Sequence, residues 1–191
     1  MIRTLTAAAA LLAATPALAE PVAYTLDPSH SQAVFSYQHL GFSTTTGLFS
    51  GFEGEISYDA EDPAASSVDV SIPASAMFTG WEERDAHFSS EDFLDVAQND
   101  MVTFVSTGIE VTGENTALIT GDLTLGGVTN EVVLDTVLNQ AGEHPMEGKP
   151  WLGFTATTTL SRTAFDAGQF APYVGDEVEV TISIEAMQSD A

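Results

Sequence analysis

The chain has 191 residues, 28 of them acidic against four Lys and Arg, and it contains no cysteine. Disulfides, thiol nucleophiles and thiolate metal sites are therefore excluded. Nucleic acid is a poor partner for such a surface, since its binding depends on basic contacts to phosphates; anionic membranes should be repelled as well, and the acids read as a solvated coat.

The N-terminal stretch MIRTLTAAAALLAATPALA has one early cation, Arg3, an apolar run from Leu5 to about Thr15, then Pro16 and the small-x-small sequence Ala17-Leu18-Ala19. That pattern predicts a cleavable secretory signal over 1–19, cut after Ala19. The run is shorter than the ~20 residues a spanning helix needs, and no other segment is long and apolar enough. Residues 20–191 are expected to form one domain that is not membrane-spanning and, in a Gram-negative cell, resides in the periplasm. Arg84, Lys149 and Arg162 are then the only Lys or Arg residues left.

Period-two alternation dominates the rest. Val22–Asp27 is a first short strand, and Gln32–Leu40 places Ala33, Phe35, Tyr37 and His39 on one face. Leu48–Asp59 is a longer run in which Gly51 and Gly54 mark bends or bulges. Phe49 and Phe52 are three apart, so both face inward only if the strand bulges near Gly51. Ser67–Pro73 alternates Val68, Val70 and Ile72. Between Thr79 and about Gln98 the pattern breaks; Thr79 with Glu82, and Ser89 with Asp92, read as helix caps, predicting one or two short helices in a long connection. Strands resume over Val102–Val111, Ala117–Leu125, Glu131–Asn139, Leu152–Ser161 and Glu177–Met187. Short strands at regular spacing predict an all-β fold, a sandwich or an up-and-down barrel. An eight-stranded barrel has an interior just wide enough for one small ligand.

Within Ile119–Val133, Ile119, Gly121, Leu123 and Leu125 share the inward face. Gly121 leaves room there for a neighbouring aromatic or for a bound chain. Chemistry finds no constellation: there is no Gly-x-Ser-x-Gly elbow and no His-Glu-x-x-His helix, and His30, His39, His87 and His144 lack a recognised zinc spacing. No catalytic residue, metal or cofactor is assigned.

An ordered set of motifs carries a resemblance: His30-Ser31, His39-Leu40-Gly41, Gly47-x-Phe49-x-x-Phe52-x-Gly54, Arg84-Asp85-x-His87, Phe93-x-Asp95 and Gly121-x-Leu123-x-x-x-Gly127-Val128-Thr129. From about Tyr24 to Gln188 the chain resembles the YceI-like proteins. The resemblance implies an eight-stranded antiparallel lipocalin-like β-barrel whose apolar pore binds a long isoprenoid or related lipid such as a fatty acid, in a periplasmic protein that needs no cofactor. Two departures stand out. Asn99-Asp100-Met101 replaces a Tyr-Pro-like pair and should alter a turn. Asp166 follows Phe165 where glycine is common, at the expected pocket rim.

On this reading the ligand contacts are Phe35, Tyr37, Phe49, Phe52, Phe93, Phe104, Gly121, Leu123, Phe154 and Phe165, with His39 and Arg84 near a polar head group. Arg84 has a second reading, pairing with Asp85 or Glu82 to hold the helical connection over the barrel mouth. A homodimer is compatible with the sequence. The competing function is an interaction protein with a filled barrel, acting with a membrane redox or stress-response partner.

Overall fold

The computed structural model describes residues 20–190; the expected signal over 1–19 lies outside them. The first three staves of the fold are each interrupted. β1 (Val22–Leu26) and β2 (Gln32–His39) form one stave, β3 (Ser43–Phe49) and β4 (Glu53–Tyr58) the next, and β5 (Ser67–Pro73) and β6 (Met77–Phe78) the third. β7 (Met101–Val111), β8 (Thr116–Leu125), β9 (Val128–Glu143), β10 (Pro150–Ser161) and β11 (Val174–Gln188) complete the set. Every neighbour is antiparallel, and β11 closes the ring by pairing with β1 at Tyr24↔Gln188 and with β2 at Ala33↔Ile182. The result is a closed eight-stranded up-and-down barrel, the barrel alternative of the two that the strand spacing allowed.

The breaks have local causes. Between β1 and β2, Asp27 Oδ1 accepts from the Ser29 N–H at 2.9 Å and from its Oγ at 2.7 Å, while Asp27 Oδ2 meets His30 Nδ1 at 2.6 Å. The Asp27 hydrogen bond, reinforced by the charges of Asp27 and Glu185, raises the His30 imidazole above its ordinary range. Between β3 and β4, Gly51 takes φ +74°, a left-handed angle that glycine adopts freely. That bend brings both Phe49 and Phe52 to the inside. The strand over Ser43–Thr46, rich in threonine, was not in the predicted pattern because it offers no apolar alternation. At the β8–β9 hairpin, Gly126 and Gly127 both have positive φ, and Leu125 pairs directly with Val128, a two-residue connection of the kind favoured between right-twisted strands.

The helical expectation needs correction. One α-helix, α1 (Glu82–Phe88), forms in the long connection, and 89–98 is built of turns. Thr79 is not its cap; Trp81 occupies that position without a side-chain bond. Instead Thr79 N and Oγ1 donate to Asp85 Oδ1 at 2.9 and 2.5 Å. Ser89 ends α1 rather than starting a second helix, its Oγ donating to the Asp85 carbonyl.

The packed core is lopsided. Tyr24, Leu26, Phe52, Ile56, Leu152 and Ala186 cluster where β1 and β4 meet β10 and β11. The remainder of the interior is not filled by side chains, and this leaves the site.

Candidate functional site: the barrel lumen

A cavity of about 350 Å³ runs through the barrel, with walls that are almost wholly apolar; ligand sites commonly have about 300–1,000 Å³. β8 lines it with Ile119, Leu123 and Leu125, the predicted inward set apart from the glycine, and with Ala117. At ~3.4 Å per residue, Ala117 to Leu125 is about 27 Å of strand, or about 20 Å along an axis tilted about 40° from it. On β7 the lining switches parity, from Val102 and Phe104 to Ile109 and Val111. The cause is a register shift between Ser106 and Gly108, which inserts one residue and keeps both halves of the strand apolar-inward.

Two glycines explain why aromatic rings do not block the tube. A Cβ on Gly121 would lie 2.5 Å from the Phe104 ring, and one on Gly47 would overlap the ring of Phe35. Each ring therefore lies flat against the wall in the space a side chain would have taken. Gly121 accommodates a neighbouring aromatic, the first of its two sequence readings.

Of the other predicted contacts, Phe35, Tyr37, Phe49, Phe52, Phe93, Phe104, Leu123, Phe154 and Phe165 all line the lumen. The two residues expected near a head group, His39 and Arg84, lie outside the lining. His39 shares the parity of Tyr37 but lies exposed at the end of β2, past the cavity, because the chain turns away there through Leu40 at φ +55°. Arg84 is not in the lining either: its Nε donates to Thr79 Oγ1 at 3.1 Å and its guanidinium lies 5.6 Å from the Trp81 ring centre. It holds the helical connection through Thr79, not through Asp85 or Glu82. Phe88 of α1 covers this end of the lumen, its ring 6.0 Å from Tyr37 and 5.1 Å from Phe93.

The polar residue the sequence reading missed is Arg162. It lines the lumen at the end covered by α1, with Ser161, Phe165 and Val174 around it. Its Nε donates to the Gly175 carbonyl at 2.8 Å, one terminal nitrogen to Ala167 and Gln169, and the other to Val174 at 3.0 Å. No carboxylate lies within ion-pair distance among the described residues. Asp176, the acid that acts on it most, has its oxygens turned to Ser161 Oγ at 2.7 Å and to the Thr163 N–H at 2.8 Å. Burial pushes the guanidinium below its ordinary value, against the pull of Asp176, although a guanidinium stays protonated at any physiological pH. Its partners all lie on 167–175, so nothing in the local pattern around Ser161-Arg162 announced it. A second grouping also escaped notice: Asp27, His30 and Glu185 bring their ligating atoms within 4.8 Å of one another outside the lumen, because β11 returns Glu185 beside the β1–β2 break.

A closed antiparallel barrel with an apolar lumen and a short helix over one end has the lipocalin-like architecture. The YceI-like domain model matches residues 24–186. A UPF0312 protein of Pseudomonas savastanoi pv. phaseolicola is 39% identical over 94% of this chain and 92% of its own length; another from Ectopseudomonas mendocina is 40% identical over 90% of each. This chain belongs to the YceI-like family. Among solved structures it is similar to BcnA of Burkholderia cenocepacia (TM-score 0.75, 22% identity, 84% of this chain and 98% of that one). It is also similar to the Campylobacter jejuni YCEI protein (TM-score 0.71, 25% identity, 80% and 90%). A third is a polyisoprenoid binding domain from Saccharophagus degradans (TM-score 0.65, 14% identity, 88% and 99%). Among the described residues no helix is long and apolar enough to cross a membrane.

Proposed function

We propose that this protein is a periplasmic binding or carrier protein that holds one long-chain isoprenoid, or a related amphiphilic lipid, lengthwise in the lumen. The observation that carries the reading is a tube walled by apolar atoms, not filled by the protein's own side chains and closed into a ring by strand pairing. Such a space suits a slender hydrocarbon: each buried methylene contributes about 0.8 kcal/mol, so a chain of many carbons outweighs the cost of ordering it. The polyisoprenoid binding domain that shares the fold supports this choice of guest. The role is one of binding, without catalysis.

The competing reading is an interaction protein whose surface, not its lumen, meets a membrane redox or stress-response partner. It draws on large exposed side chains near the α1 end: Phe42 at 90%, Tyr173 at 77% and Trp81 at 57% exposure. Native mass spectrometry on protein purified from its own host separates the two. The carrier reading expects an adduct of one lipid per chain, released by organic solvent and identified as a prenyl or fatty chain. A bare mass in repeated preparations would favour the interaction reading.

A further inference from the structure

Two loops interrupt the acidic coat. In a chain with 28 acids, no charged residue stands between His39 and Glu53, nor between Asp166 and Asp176. The fold sets these two uncharged stretches side by side: the Leu40 N–H donates to the Tyr173 carbonyl at 3.1 Å, and His39 pairs with Val174. Leu40, Phe42, Phe170 and Tyr173 all project into solvent there, Phe42 and Tyr173 almost completely. Leu40 and Phe170 also hold left-handed backbone angles, φ +55° and +65°, which bulky residues rarely adopt. Such strain persists only where the surrounding structure imposes it, and it gathers at sites of binding and switching. Both loops are braced from beneath. The Phe42 N–H donates to the His39 carbonyl, the Val174 N–H to the Phe170 carbonyl, and Arg162 grips the carbonyls of Ala167, Gln169, Val174 and Gly175. Four apolar side chains are thus held outward on a fixed platform, where they add nothing to the core.

We infer that this patch docks on a membrane: the tips of the loops around Phe42 and Tyr173 enter the headgroup layer of a zwitterionic bilayer, one with choline or ethanolamine heads. Exposed apolar patches mark protein or membrane contacts, and aromatic side chains are favoured at headgroup depth. Side chains bare on nearly every side suit a fluid layer that closes around them, whereas a protein would need a separate pocket for each. Charge selects the kind of bilayer. Phe170 lies against His87 of α1, ring centres 6.2 Å apart, and α1 with the turn after it exposes Glu82, Glu83, Glu91 and Asp92. Anionic lipids repel these carboxylates, while the cationic group of a zwitterionic head lies outermost and meets them with opposite charge. Docking sets the α1 end of the barrel against the bilayer whether or not the lumen holds a lipid.

The test is flotation of the purified protein with phosphatidylcholine vesicles. The unaltered protein should float with them, and less of it should float when phosphatidylglycerol is mixed in. Phe42→Ser combined with Tyr173→Ser should weaken the association about a hundredfold, about tenfold for each half-buried ring removed, with the melting temperature little changed because both positions are exposed. A second readout uses the absence of cysteine from the chain. An environment-sensitive dye on Ser43→Cys, beside Phe42, should shift to the blue when vesicles are added. The same dye on Glu114→Cys, in the β7–β8 turn at the other end of the barrel, should not. If the double variant fails to fold, the dye pair decides. No flotation, equal flotation of the double variant, or tighter binding to the phosphatidylglycerol mixture would overturn the membrane assignment. A dimer that the double variant splits, without flotation, would overturn it in favour of a second copy of this chain on the same face. A lumen found empty by native mass spectrometry removes the carrier reading and leaves the docking surface standing.

Discussion

Gly54→Ala is expected to lower the melting temperature by about 10 °C, or to prevent folding altogether. Gly54 sits in β4 at φ +133° opposite Val70, and a Cβ built there lands on the Asp69 carbonyl oxygen. A strained backbone angle costs about 1–3 kcal/mol, and forcing two packed strands apart costs about as much again. β4 is held on both sides, by β1 and by β5, so the strand has no free edge toward which to move. A total of about 3 kcal/mol or more corresponds to about 10 °C at this chain length. Gly153→Ala is the matched control, since a Cβ at Gly153 meets nothing within 4 Å; it should stay within about 0.5 kcal/mol of the unaltered protein. Thermal melting by circular dichroism reads both. Equal melting of the two variants would contradict the close approach of β4 to β5.

Ala156→Phe should weaken lipid binding about a hundredfold without unfolding the barrel. Ala156 lines the lumen from β10, between its partners Thr136 and Ile182, and is 7% exposed. A phenyl ring there projects into vacant space, so overpacking is small, yet it takes the path of the guest. Displacing three or four methylene equivalents removes about 3 kcal/mol of burial, about a hundredfold in affinity. Thr157→Phe, one residue on and facing outward, should bind normally. Isothermal titration with one amphiphile distinguishes them. Unchanged affinity in Ala156→Phe would mean that the lipid binds elsewhere.

The fold was legible in the sequence wherever one face of a strand is buried and the other wet. The alternation of Ile119, Leu123 and Leu125 carried directly to the lining, and the glycine at 51 gave away the bend that turns Phe49 and Phe52 inward together. Parity beyond a bulge was not legible: Ile109 and Val111 lie inside only because one residue is inserted after Ser106, which no periodicity announces. Helix caps misled because Thr79 and Ser89 spend their hydroxyls on α1 from outside the expected positions, through Asp85. His39 and Arg84 lie outside the lumen lining, because charge at the lumen depends on which loop folds back over the opening, and neither a histidine at a strand end nor an arginine in an acidic stretch carries that information. Arg162 is placed by 167–175, a segment rich in small residues and prolyl and glycyl turns, whose path is set by tertiary contacts and not by local pattern. Phe42, Phe78 and Phe170 show the converse limit: an apolar aromatic side chain does not by itself place a residue inside, and these three are exposed.

Whether the lumen holds a guest chain along its axis is decided by a crystal structure of protein purified from its own host, never unfolded or stripped. Continuous tubular density should run from beside Phe88 and Arg162 to the vicinity of Asn115, flanked by the rings of Phe35 and Phe104. A lumen closed by those same rings turned inward, with no density between them, would contradict the carrier reading.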